Sequence, residues 1–250
     1  MRAKVGLLLL LCIAPGISGC YLVHLAEGQT RLLHARRPID EVLNDPSTAD
    51  DLRQRLERVG QARNFAAELG LDVGDQYTSY VDWPGDRIVT TVVATRPGEV
   101  EPAGFWFPIV GRVPYKGYFD REKAEAEAKR LRERGLDVCE LAVPAYSTLG
   151  WLDDPVTAPM LRRGEGPLVE TILHELVHAT VYVRNQPDFN EGVASFIGDE
   201  GSVRFYAATN GPEASRRERE RIEEDWRPRR GDAEAARGDR NHLCHDRTGR

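Results

Sequence analysis

An α+β fold is what this sequence predicts, on three observations. Helical apolar spacing occupies the first third after the N-terminal run, a β-branched stretch bounded by turn residues sits in the middle, and helical patterns return in succession toward the C-terminal third. Residues 28–43 and 50–69 read as helices. In the second, Leu52, Leu56, Val59, Ala62, Phe65, Ala66 and Leu69 recur on one face, and Gly70 ends it. Residues 77–95 change period: Tyr77, Tyr80 and Val81 precede the turn signal Trp83-Pro84-Gly85-Asp86, and a β-branched run reaches Val93, which predicts a hairpin. Residues 104–119 (GFWFPIVGRVPYKGYF) suit extended chain and turns over a core. A charged helix over 121–134, presenting a solvated face, is followed by a strand over 136–143 and an irregular loop over 144–160. A helix over 166–183 comes next. No internal repeat is present.

With 250 residues the chain suffices for one sizeable domain. The expected division is 1–19 as a removed leader, 20–210 as the folded domain, and 211–250 as a charged tail. That tail has only Ile222, Trp226 and Leu243 as large apolar residues, although 214–226 has helical character. A net charge of −6, with no basic stripe interleaved with aromatics, excludes a general nucleic-acid binder.

The first twenty residues, MRAKVGLLLLLCIAPGISGC, have a basic start, an apolar run and small residues before a cysteine, the pattern of an export signal. The apolar run is shorter than the roughly 20 residues of a spanning helix. Ile17-Ser18-Gly19-Cys20 resembles the bacterial lipobox, which implies cleavage before Cys20 and its lipidation, with acyl chains holding the protein to a membrane. Tyr21 in the next position, in place of aspartate, points to the outer membrane facing the periplasm. Of the other cysteines, Cys12 leaves with the leader. Cys139 and Cys244 are expected as buried or free thiols, one in an apolar strand and one in a charged tail. His242, Cys244 and His245 cluster too closely to form a site without a partner elsewhere.

The stretch TILHELVHATVYVRNQPDFNEGVASF carries the chemistry. On one helix His174 and His178 are a turn apart on the same face and can bind one zinc ion, while Glu175, one step around, can reach a water held by the metal. Catalytic zinc needs a third protein ligand. The remaining histidines of the six, His24, His34, His242 and His245, lie near the two ends of the chain, so Glu191 is the nearest donor, with Asp188 as an alternative that also suits a helix cap. A second helix starting near Asn190, with Phe189, Val193, Phe196 and Ile197 facing the core, would point Glu191 at the pair. The apolar Ile172, Leu173, Leu176 and Val177 around the polar trio imply burial, which ionisable groups tolerate for a reason such as a metal.

HELVH followed by NEG resembles the gluzincin branch of zinc metallopeptidases. The blocks WFPIVGRVPYKGYFD, AYSTLGWLDDP, ILHELVHATVYV and FNEGVASFIGDEG resemble the bacterial putative aminopeptidase family. The resemblance implies a zincin-like domain with Zn2+ on His174, His178 and Glu191, Glu175 as general base, and a peptide substrate bound along the edge of the hairpin or of the 136–143 strand. Tyr146 is the first candidate to stabilise the oxyanion and Tyr182 the second. The GxMEN-type segment of large gluzincin aminopeptidases is missing, leaving Asp153, Asp154, Asp199 and Glu200 as acidic candidates for a substrate amine. The alternatives are a noncatalytic zinc-containing envelope lipoprotein that binds a partner and a zinc hydrolase of cell-wall peptides.

Overall fold

A computed structural model describes residues 18–99, 101–107, 111–145, 153–184 and 186–227. In chain order these form α1 (Ser18–His34), β1 (Arg37–Pro38), α2 (Ile39–Asn44), α3 (Asp50–Glu68), β2 (Ser79–Val81), β3 (Val89–Thr95), β4 (Phe105–Phe107), β5 (Gly111–Val113) and β6 (Tyr115–Tyr118). There follow α4 (Arg121–Glu133), β7 (Asp137–Val143), β8 (Val156–Thr157), α5 (Ala158–Arg162), α6 (Glu165–Thr180), α7 (Pro187–Asn210) and α8 (Pro212–Trp226). Helices and small sheets are both present, so the class is α+β. Among the described residues, no helix is long and apolar enough to cross a membrane.

The hairpin expected over 77–95 does not form. β2 pairs antiparallel with β1 and parallel with β8, whereas β3 lies in another sheet, between β6 and β7 and antiparallel to both. The physical reason lies in the intervening turn. Trp83 is buried with Leu32, Val81, Ile88 and Phe119, and the Arg31 guanidinium lies 4.4 Å from its ring centroid, so the segment is anchored in a small core and not free to close a tight turn. β3 instead gains a full seven-residue register with β7, from Val89 opposite Val143 to Thr95 opposite Asp137. Cys139, opposite Val93, is disulfide-bonded, which overturns the expectation of a thiol there, while Cys244 lies outside the described residues.

At the N-terminal end one expected helix over 28–43 is two, because proline cannot continue an α-helix and biases the residue before it to extended backbone. Arg37 and Pro38 pair with Tyr80 and Ser79, and α2 starts just beyond them. α1 docks closely on the turn after β6. A Cβ on Gly28 would lie 2.1 Å from a ring carbon of Phe119, and buried His24 accepts the Phe119 N–H at Nε2, 3.1 Å away. Burial, then the Lys123 ammonium, holds the His24 pKa below its usual 6.5. The folded state therefore favours neutral His24. Its contribution is present above pH 6.5 and is lost as the pH falls below that value and then through the folded pKa. Between pH 7.5 and 5.5 the wild type is expected to lose more unfolding free energy in urea than His24→Gln; equal losses would refute this role.

The largest core gathers α3, α6 and α7, with Leu56, Val59, Ile172, Leu173, Leu176 and Phe205 fully buried. Each such aliphatic contributes about 1.5–3 kcal/mol on leaving water. α7 begins at Pro187, whose fixed φ suits a first turn, and not near Asn190. It turns Ala194, Gly198, Gly201 and Phe205 inward, spaced by four, three and four residues. Phe189 and Phe196, expected in the core, are instead 54% and 67% exposed. The small inward residues explain this: two helices approach more closely along Gly and Ala than along Phe. α8 packs on this assembly through buried Glu218 and Ile222.

Candidate metal centre

Buried Leu168, Val169, Ile172, Leu173, Leu176 and Val177 seat α6 against the core and leave His174, Glu175 and His178 on its adjoining flank. The end of the helix is pinned by Thr180, whose hydroxyl donates to the Leu176 carbonyl (2.7 Å) and accepts the Asp72 N–H (2.8 Å). His178 is buried and His174 partly so. Their rings meet at 81° with Nε2 atoms 3.2 Å apart.

Glu191, in the second turn of α7, closes the site. Its Oε2 lies 3.4 Å from His174 Nε2 and its Oε1 3.5 Å from His178 Nε2. Two features place it there. The first is Asn190, which is buried and spans the connection between α6 and α7. Its Oδ1 accepts the Val183 N–H and its Nδ2 donates to the Val183 carbonyl, both at 2.8 Å. The second is Gly198, where a Cβ would stand 3.1 Å from the Glu170 carbonyl oxygen and 3.3 Å from His174 Cβ. The glycine lets α7 lie directly against the turn of α6 that carries His174. Asp188 neither caps α7 nor joins this cluster: the N-cap is Gln186.

Tetrahedral zinc with bonds of about 2.0–2.1 Å holds neighbouring ligand atoms about 3.3 Å apart. The two Nε2 atoms, 3.2 Å apart, match that spacing, the two oxygens of Glu191 lie 3.4 and 3.5 Å from one imidazole each, and two imidazoles with one carboxylate are a donor set that zinc accepts. The residues present fit the ion. Electrostatics agree with convergence: hydrogen bonding to His174 and His178 holds the Glu191 carboxyl well below the usual range. Burial pulls His174 down, but the carboxylates of Glu191, Glu175 and Glu170 outweigh it and raise its pKa.

The family model described as "Putative aminopeptidase" matches residues 20–240. This chain belongs to that family. Comparison with curated proteins and with solved structures gives no match. Membership in an aminopeptidase family indicates a peptidase with a peptide substrate, and the cluster of His174, His178 and Glu191 is a possible metal site within it.

Around the cluster of this family member, the fold brings up two tyrosines that sequence reading passed over. Tyr77 is buried in the left-handed region at φ 58°, an uncommon backbone for a bulky residue. Its N–H donates to the Asp154 carbonyl (2.8 Å), and the Asp154 N–H donates to Gln76 Oε1 (2.9 Å), which fixes the bend. Burial, followed by the charges of Glu175 and Asp154, pushes its phenol well above the usual value. Tyr115 opens β6. Alternation along that strand sends Lys116 and Tyr118 toward α4, where Lys116 pairs with Glu127 at 2.9 Å and Tyr118 packs on Ala124 and Ala128. Tyr115 therefore leaves on the other face. Burial, then the charges of Glu191 and Glu175, raise its phenol. The period-two reading of YKGY was the available signal, because it separates Tyr115 from the core-facing Tyr118.

Tyr146 lies outside the described residues. Tyr182 is 56% exposed. Of the acidic candidates for an amine, Asp153 is exposed and Asp154 is buried. Glu200 forms a bidentate pair with Arg219 at 2.7 and 2.9 Å, and Asp199 accepts the Trp226 indole N–H at 2.9 Å.

Replacing Asn190 with alanine removes both bonds that fix the α6–α7 connection. The expected cost is about 1–3 kcal/mol of stability, read from the urea midpoint, together with weaker zinc binding in a chelator competition. Unchanged zinc affinity would show that Asn190 does not position Glu191.

Proposed function

We propose that this protein is a zinc-dependent peptide hydrolase with a zincin-like catalytic domain. The observation that carries this reading is the convergence of His174, His178 and Glu191, whose ligand atoms lie within 4.8 Å of one another, with Glu175 on the same helix turn as His174. A purely structural zinc site more often uses four protein ligands and has no need of a neighbouring base.

His174, His178 and Glu191 would hold the zinc, which when bound would supply Lewis-acid polarisation of a carbonyl oxygen and acidify water. Glu175 takes the proton of the attacking water and passes it to the leaving amine. Tyr115, on the face of β6 opposite Lys116 and Tyr118 and raised in pKa by the charges of Glu191 and Glu175 after burial, is our candidate to donate its phenolic O–H to the carbonyl oxygen as charge develops there. The half-exposed ring leaves that hydroxyl within reach of a substrate entering from solvent.

The test is to purify the full chain, measure bound zinc, and assay peptides with free and with blocked N-termini. Stoichiometric zinc and chelator-sensitive hydrolysis are expected. Zinc without hydrolysis of any peptide would sink the enzymatic reading, and cleavage of blocked peptides would sink aminopeptidase specificity. Tyr115→Phe is expected to lower kcat by about 10²–10³-fold, the range for losing one oxyanion donor, with little change in KM.

We also propose a lipid anchor at Cys20 that holds the domain to the outer membrane facing the periplasm. The Ile17-Ser18-Gly19-Cys20 pattern supports it, and the disulfide at Cys139 supports export alone, since such bonds persist in oxidising compartments. Non-reducing peptide mapping identifies the cysteine joined to Cys139; a link from Cys20 would overturn lipidation.

A further inference from the structure

A solvated stretch of a charged tail is what the sequence predicts for α8, yet it contributes a partly buried ionic network that reaches the turn of α6 before His174. Arg221 donates to Glu170 Oε2 (2.5 Å), to both Glu218 oxygens (2.8 and 3.1 Å) and to Asp225 Oδ2 (2.8 Å). Glu218, only 6% exposed, accepts a further bond from the Ser202 hydroxyl of α7 at 3.0 Å. At the end of the same helix, the Trp226 indole N–H donates to Asp199 of α7 at 2.9 Å.

Both residues held in this way flank the place where α7 rests on the turn of α6 that carries His174. Glu170 precedes His174 by one turn on the same face of α6. Asp199 follows Gly198, the residue whose missing side chain lets α7 rest on His174 Cβ. Burying ion pairs is a poor route to stability, because desolvation offsets most of the attraction. Carboxylates next to a liganding histidine have a different use: they orient the imidazole and raise its basicity.

We propose that α8 is part of the metal centre, with Arg221 and Trp226 acting as positioning residues that hold the carboxylates of Glu170 and Asp199 beside His174. This rests on the zinc reading above and extends it to a helix outside the HExxH and NEG segments. It accounts for an arginine shared by three carboxylates in a helix otherwise suited to solvent.

The experiment uses the full chain and compares wild type with Asp199→Asn, Trp226→Phe, Arg221→Lys and Arg221→Met. Zinc affinity is measured by competition with a chromophoric chelator, and the melting temperature is measured on the metal-free proteins. Asp199→Asn and Trp226→Phe are expected to keep the metal-free melting temperature within about 2 °C and to weaken zinc binding about 10–100-fold, the range for outer-shell partners. Arg221→Lys is expected to retain zinc better than Arg221→Met, because it keeps the charge. Zinc affinity within about twofold of wild type in both Asp199→Asn and Trp226→Phe overturns the proposal, even if Arg221→Met fails to fold. A wild-type chain that binds no zinc overturns the proposed function and this inference with it. Tight wild-type binding with unchanged variants overturns this inference alone.

Discussion

Replacing Glu175 with glutamine is expected to lower kcat by about 10²–10⁴-fold while zinc stoichiometry stays at the wild-type value. The residue is set one step around α6 from His174, so its carboxylate is outside the cluster formed by His174, His178 and Glu191. Glutamine keeps the shape and the hydrogen-bonding amide but cannot accept a proton from water at neutral pH. The loss should therefore be in kcat with metal content intact. Activity near wild type in Glu175→Gln would remove the general base from the mechanism. Loss of zinc would instead place Glu175 among the ligands.

The second large effect is expected at Glu191. Its side chain is 63% exposed and contributes little packing, so Glu191→Ala in the metal-free state should melt close to wild type. Metal changes this. At a hundredfold excess over Kd, zinc stabilises the wild type by about 2.7 kcal/mol, which is roughly 5–11 °C for a chain of this size. That thermal shift should vanish in Glu191→Ala, and zinc affinity should fall by more than the 10–100-fold typical of an outer-shell partner. A preserved shift would remove Glu191 from the ligand set and leave the catalytic reading without its third ligand.

The two effects differ in how visible they were before folding. His174, Glu175 and His178 are four residues apart at most, and helical geometry alone puts them on one flank. Glu191 was reached by eliminating distant histidines, but elimination does not aim a side chain. Its aim depends on Asn190 clasping Val183 and on Gly198 lying against His174, contacts between segments that no local period encodes. The same limit explains the errors. Phe189 and Phe196 have the hydrophobicity of core residues, yet α7 buries its small residues because the close approach to α6 contributes more packing there. The segments over 77–81 and 88–95 both read as strands, and each contains one, Ser79–Val81 and Val89–Thr95. Their assignment to one hairpin failed because Trp83 found a core and β3 found longer partners.

Local physics in the sequence determined the α+β class, the helix over Asp50–Glu68, the charged helix after Asp120 and the histidine pair with its base, since each rests on periodicity or on capping within a few residues. The tertiary structure alone decided which strands pair, that Tyr77 is buried beside Asp154 at a positive φ, and that α8 bonds to Glu170, one turn before His174. These depend on contacts between residues distant in the chain. Such contacts follow from the fit of whole surfaces and from the pairing of buried charges, which no single window of sequence contains.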